Sequence, residues 1–139
     1  MLLHASCIAI GGRAVLLTGS PGAGKSDLAL RLIDSGAQLV ADDQTMLQRE
    51  KDMLLASPPA AIAGMIEVRH IGLVKMPFVE SIPVRLYVEL TPLDARIERL
   101  PEPDSIFLLD RPVQRLRLPG FAASTPAKIR AVLLYLKIQ

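Results

Sequence analysis

Residues Gly19-Ser20-Pro21-Gly22-Ala23-Gly24-Lys25-Ser26 fit the spacing G-x-x-x-x-G-K-[ST] at every fixed position. The glycines let the backbone turn so that successive N–H groups face inward, forming a nest for phosphate oxygens. A helix starting there adds about half a positive charge at the same spot. In such a loop the lysine, here Lys25, reaches the β- and γ-phosphates, and the Ser26 hydroxyl ligates Mg²⁺. Further on, Asp42 and Asp43 close an apolar stretch. Carboxylates at such a strand end meet the magnesium or the water around it. Adjacent strand residues point to opposite faces, so both can address the phosphates only through a bulge or turn. These groups together imply a site for a nucleoside triphosphate with Mg²⁺, and leave its phosphoryl acceptor open.

The elements that must position these groups are readable around them. Ala14 to Thr18 is an apolar run of strand length, and Asp27 to Ser35 places Leu28, Ala29, Leu32 and Ile33 on one helical face. Gly36 stands where a C′ glycine stops a helix. Gln38 to Asp43 reads as a strand that returns beside the phosphate-loop strand. Upstream, Leu2 to Ile10 reads as one strand and Gly11-Gly12 as a two-residue hairpin turn. The loop strand thereby gains an antiparallel neighbour, which predicts a mixed sheet. His4 lies near the far end of that first strand, beside the point where the loop emerges. Taken alone, a lone strand histidine reads as a satisfied or solvated imidazole.

At 139 residues, half of them hydrophobic, the chain is expected to form one domain over residues 1–139 with a packed core. Sixteen basic residues face 14 acidic ones, and aromatic residues make up only 4%. That balance argues against nucleic acid as a partner, because neither a basic face nor a stacking platform is available. A single cysteine, Cys7, allows no internal disulfide and points to a cytoplasmic setting. The N-terminus has no basic n-region, and His4 interrupts its apolar stretch, so no signal peptide is expected. The most apolar window elsewhere, Met53 to Ile66, contains Pro58-Pro59 and is too short to span a membrane.

The rest of the chain gives further elements. Thr45 to Ala56 is strand-like around the charged turn Arg49-Glu50-Lys51-Asp52. Met65 to Val74 alternates, with Ile66, Val68 and His70 on one face and Glu67, Arg69 and Ile71 on the other. On its own residues, the Glu67–Arg69 spacing reads as an exposed pair of little energetic consequence. Pro83 to Leu90 is a strand with Val84, Leu86, Val88 and Leu90 inward. Thr91-Pro92 then predicts a short helix to Leu100, its buried side lined by Leu93, Ile97 and Leu100. Strands are expected at Ile106 to Leu109 and Gln114 to Leu118. Arg111, Arg115 and Arg117 would contact phosphates or an acidic partner, or else form a solvated basic edge. A closing helix is capped by Thr125, with Pro126 at N1 and Ile129, Val132, Leu133 and Leu136 on its apolar face.

With these residues set out, the chain resembles the catalytic domain of HPr kinase/phosphorylase. That bacterial enzyme phosphorylates a serine of HPr, the small phosphocarrier of the sugar phosphotransferase system. The resemblance rests on His4, the phosphate loop, Leu39-Val40-Ala41-Asp42-Asp43, and Ile66-Glu67-Val68-Arg69 with Gly72. It is the aspartate pair followed by the E-x-R strand that separates this family from other phosphate-loop families.

The resemblance implies an α/β domain with a mixed sheet of phosphoenolpyruvate-carboxykinase-like architecture, and transfer of a phosphoryl group from Mg·ATP to a protein serine. By it, Asp43 matches the acceptor of the serine proton, and His4 and Lys25 match catalytic positions. Ser26 and Glu67 match magnesium ligands with Asp42 close by, and Arg99 matches a further catalytic arginine. It also implies ring-like hexamers, and likens the chain to short members without an N-terminal domain. Where the family carries I-P-V-R-P-G-R, used in removing phosphate from serine, this chain has Leu118-Pro119-Gly120-Phe121 and neither arginine. The kinase direction is therefore the better supported one. Two other readings use the same loop: a small-molecule kinase, and a non-catalytic ATP or ADP sensor that leaves the aspartate pair without a purpose.

Overall fold

The computed structural model describes residues 1–135. Strand β9 (Ile82–Thr91) is the axis of a nine-stranded mixed sheet. It pairs in parallel with β3 (Arg13–Thr18) and with β11 (Arg111–Pro119), and antiparallel at Ile82 and Pro83 with β6 (Met53–Ser57). Outward from β3 lie β2 (Ser6–Ile10) and then β4 (Gln38–Ala41), both antiparallel to their neighbours. Outward from β6 lie β5 (Thr45–Glu50) and the two-residue β1 (Leu2–Leu3). β10 (Ser105–Leu108) joins β11 in a hairpin. A separate hairpin is made by β7 (Met65–Val68) and β8 (Gly72–Lys75). This is the mixed phosphate-loop architecture expected.

Alternation in the strands sorts the core into two layers. On one face Ile8, Ile10, Val15, Leu17, Leu86 and Val88 pack under helices α1 (Lys25–Asp34) and α2 (Thr125–Tyr135). On the other, Cys7, Ala9, Ala14 and Leu16 meet Leu47, Leu54 and Ala56 of the β5–β6 hairpin. Leu28 and Leu32 are fully buried, each worth about 1.5–3 kcal/mol of transfer free energy. Val84 falls in the second layer although Leu86 and Val88 fall in the first. The pairing slips between Ala14 and Val15, with Arg85 as the extra residue on β9, so the strand turns over at that point.

Four local expectations need correction. The first strand is broken: β1 pairs with β5, β2 pairs with β3, and the tight bond from Ala5 N to Leu3 O turns the chain between them. β4 does not lie beside the loop strand, because β2 has taken that edge of β3 and β9 has taken the other. Met65 to Val74 is a hairpin rather than one strand; His70 (φ 71°) and Gly72 (φ 126°) adopt left-handed backbone at its turn. Residues 92–104 are not helical, and Leu93 and Leu100 are exposed. A stretch of that length has no helical stability without a packing partner, and prolines at 92, 101 and 103 remove N–H donors around it.

The remaining punctuation acts as read. Gly11 and Gly12 (φ 57° and 75°) form the β2–β3 turn, and the bonds from Gly36 N to Ile33 O and Ala37 N to Leu32 O end α1. Lys51 (φ 55°) lies in the charged β5–β6 turn, and Leu109 and Asp110 turn β10 into β11. Arg115 pairs with Asp104 and Arg117 with Glu89, so β11 is an internal strand with matched charges and not a bare basic edge. At α2 the bond from Lys128 N to Ser124 O makes Ser124 the capping residue, one position earlier than expected. Leu136 lies outside the described residues.

Candidate functional site

The loop begins where β3 ends. Thr18 Oγ1 donates to Val88 O of β9 (3.1 Å), which fixes the strand end from which Gly19 turns. Ala23 N donates back to Ser20 O (3.0 Å), and Leu28 N to Gly24 O (2.8 Å), so the turn runs directly into α1. Gly24 is the N-cap of α1 with left-handed backbone (φ 101°), and no side chain caps the helix. The amides of the first turn are therefore left for another acceptor, and an anion is the natural one. Lys25 Nζ donates to Gly19 O (3.0 Å), which folds the ammonium across the loop.

Asp42 is the hub. It is 7% exposed, and its carboxylate accepts three hydrogen bonds. Ser26 Oγ reaches Oδ1 at 2.6 Å, Ser6 Oγ reaches the same oxygen at 2.9 Å, and the amide of Glu67 reaches Oδ2 at 2.9 Å. One carboxylate thus ties the helix after the loop, the start of β2 and the β7 strand together. Bonds to a carboxylate are the stronger kind, about 1.5–3 kcal/mol each.

Asp43 reaches the same end of the sheet by the turn that strand geometry demands. Its backbone is left-handed (φ 69°), and its N–H donates to Ser6 Oγ (3.1 Å). Ser6 therefore receives Asp43 and donates to Asp42 through one hydroxyl. A register shift between Cys7 and Ile8 of β2 lies beside this turn. The Asp43 side chain is exposed, with Oδ1 3.4 Å from His4 Nε2. His4 stands at the corner between β1 and β2, which is why it points out of the sheet.

Glu67 comes to the cluster through its backbone amide, and its side chain is exposed. Ile66, fully buried in the helix-side layer, anchors β7 so that Glu67 falls there. Arg99 lies in the exposed segment 92–104, and no hydrogen bond or ion pair joins it to the cluster among the described residues. Among those residues no three His, Cys, Asp or Glu side chains form a ready metal cage. Ser26 Oγ and the Asp42 carboxylate are nonetheless hard oxygen donors in mutual contact. That set fits Mg²⁺, which keeps several waters and takes one or two carboxylates plus phosphate oxygens.

Sequence reasoning missed Ser6, and it singled out Leu118-Pro119-Gly120-Phe121 only for its missing arginines and not as a turn that meets the phosphate loop. Ser6 had a signal: a serine inside an apolar strand, buried, must find partners. The turn had none, because its contact with the loop depends on the pairing of β11 with β9.

The family profile described as HPr Serine kinase C-terminal domain matches residues 1–127. The chain belongs to that family. It is 32% identical over 127 residues to the HPr kinase/phosphorylase of Clostridium acetobutylicum, covering 84% of this chain and 42% of that protein. It is 41% identical over 75 residues to the HPr kinase/phosphorylase of Listeria monocytogenes, covering 53% of this chain and 24% of that protein. The chain thus spans well under half the length of these curated relatives. Among solved structures, the Hpr(Ser) kinase/phosphatase from Coxiella burnetii superposes with a TM-score of 0.84 at 28% identity. The match covers 96% of this chain and 88% of that one. The phosphoenolpyruvate-carboxykinase-like fold implied by the motifs is therefore the fold of this domain. No helix among the described residues is long and apolar enough to cross a membrane.

Proposed function

We propose that this chain is an ATP-dependent serine kinase of the cytoplasm that phosphorylates an HPr-type phosphocarrier protein. The observation that carries the reading is the bonded path Ser26–Asp42–Ser6–Asp43, which ties the phosphate loop to an exposed carboxylate. The names of the family relatives, kinase/phosphorylase, supply the acceptor.

In this reading the loop amides from Gly19, Ser20, Pro21, Gly22, Ala23 and Gly24 onward enclose the β- and γ-phosphates, and the free first-turn amides of α1 add to the cradle. Pro21, lacking an N–H, shapes the turn rather than donating. Lys25 leaves Gly19 O for the γ-phosphate. Ser26, Asp42 and Glu67 would hold Mg²⁺. When bound, that ion neutralises charge on the β- and γ-phosphates. Asp43 orients the acceptor serine and takes its proton as Oγ attacks the γ-phosphorus; the bond to the β–γ bridging oxygen breaks and ADP leaves. His4, beside Asp43, fixes the carboxylate and offers a path for that proton. Arg99 enters only if the 92–104 segment folds over the phosphates. Positioning and charge neutralisation supply most of the acceleration. With neither family arginine at Gly120-Phe121, the forward direction is favoured over phosphorolysis.

The test is incubation with Mg·ATP and an HPr-type phosphocarrier, followed by mapping of the phosphorylated residue. Phosphoserine on the phosphocarrier is expected, abolished by Lys25→Ala. ATP bound without any transfer would overturn the kinase reading in favour of a sensor.

A further inference from the structure

The turn Pro119–Ala122 is pressed against the phosphate loop and held there from three directions. Gly120 N donates to Thr91 O at the end of β9 (3.1 Å). Thr125 Oγ1 of α2 donates to Pro119 O (2.5 Å). Arg31 of α1 spans the turn, giving Nη1 to Ala122 O (3.3 Å) and Nη2 to Gly120 O. Backbone meets backbone at the loop: a Cβ on Gly120 would lie 2.0 Å from Ala23 O. One residue on, the Phe121 ring points its far end at Gly24. A Cβ there would lie 3.0, 3.1 and 3.3 Å from ring atoms Cζ, Cε1 and Cε2. Phe121 is 50% exposed, so the ring is not a core residue that happens to pass by.

Gly24 is the pivot of the loop, the left-handed residue between the glycine turn and the first helical amide. Glycine has the widest backbone freedom of any residue, so fixing this one costs conformational entropy. A ligand that must order the loop itself loses affinity by that cost, whereas a loop already held in shape does not. We infer that Phe121 is a positioning residue for the phosphate loop: from its locked turn the ring holds Gly24 in the left-handed conformation, so the amide nest stands formed before a polyphosphate arrives. The inference rests on the loop being a nucleotide site. It concerns the polyphosphate end of the ligand, not the base.

The experiment is calorimetric titration of Phe121→Ala and Phe121→Leu with ADP and, separately, with pyrophosphate, alongside hydrogen exchange of the loop amides in the free protein. Phe121→Ala is expected to raise Kd for ADP and for pyrophosphate together, by roughly 10-fold, and to speed exchange at Gly22–Ser26. Phe121→Leu, which keeps an apolar contact, falls between wild type and Phe121→Ala on both readouts and serves if the alanine variant does not fold. A ring that served as a platform for the base would weaken ADP and leave pyrophosphate unchanged, which overturns the inference. Unaltered binding of both ligands also overturns it. Lys25→Ala separates the two layers of argument. If that variant binds ADP normally, the nucleotide reading fails and takes this inference with it. If Lys25→Ala loses binding while Phe121→Ala does not, the inference alone falls.

Discussion

His4 Nε2 stands 3.4 Å from Asp43 Oδ1, although one residue follows the two-residue β1 and the other follows β4 across the sheet. Both side chains are nearly two-thirds exposed (65% and 62%), so the pair contributes little to stability and is open to an acceptor. Asp43→Asn is expected to lower kcat by about 10²–10⁴ while the KM for ATP stays close to normal. His4→Gln is expected to cost less. Because His4 acts through Asp43, the double variant should be no slower than Asp43→Asn alone. Steady-state kinetics of the three variants decide it; strictly multiplicative losses would separate the two roles.

Ser6 is expected to matter more than its size suggests. Ser6→Ala removes one donor to Asp42 and the acceptor for the Asp43 amide, both inside the sheet end. The cost is about 1–3 kcal/mol in stability, with a loss of kcat as Asp43 leaves its left-handed turn. Chemical denaturation and kinetics on the same sample measure both. Ser6→Thr keeps the hydroxyl and should retain the larger part of the activity if the bonds, not the volume, are what count.

Thr91 Oγ1 is buried and finds no hydrogen-bond partner among the described residues. An unsatisfied hydroxyl in that state is a cost the fold carries, and a methyl of the same shape removes it. Thr91→Val is therefore expected to raise stability by about 1 kcal/mol, read as a higher thermal midpoint. A lower midpoint would mean that the hydroxyl is satisfied by water in solution.

Cys7 is the second residue of β2 and has no exposed surface. Burial pushes its thiol pKa well up, so almost no thiolate exists near pH 8. The native protein should not react with a disulfide reagent at that pH until denaturant opens the sheet. Rapid native labelling would show that β2 opens locally.

The chemistry was more readable than the geometry that delivers it. The glycine loop, the Gly11-Gly12 turn, the Gly36 stop and the aspartate pair each act through local backbone rules, and the structure keeps them where the spacing put them. The demand for a turn at the aspartates is met by the left-handed backbone of Asp43. The position of β4 could not be read in the same way, because the β2–β3 hairpin fills one edge of β3 and the other is filled by β9, a strand more than 60 residues further along the chain. The helix expected at 91–100 shows the opposite failure. Its caps and apolar spacing are in place, but Leu93 and Leu100 face solvent, and local signals do not supply a packing surface. The parts played by Ser6 and Phe121 were missed for a third reason: each matters through a contact between segments far apart in the chain.

That distance has a consequence for biosynthesis. The strand feeding the phosphate loop is made early, yet its parallel partner begins beyond residue 80, with Ala14 paired to Val84 and Thr18 to Glu89. β9 in turn takes β11, and the turn that touches Ala23 and Gly24 follows β11. Pairings of such long sequence separation form late, after loop closure has been overcome. A ribosome-bound chain halted before residue 119 is thus expected to carry the whole motif and still be unable to retain a ligand. On the proposed nucleotide reading, binding would reward the finished product and not guide its assembly.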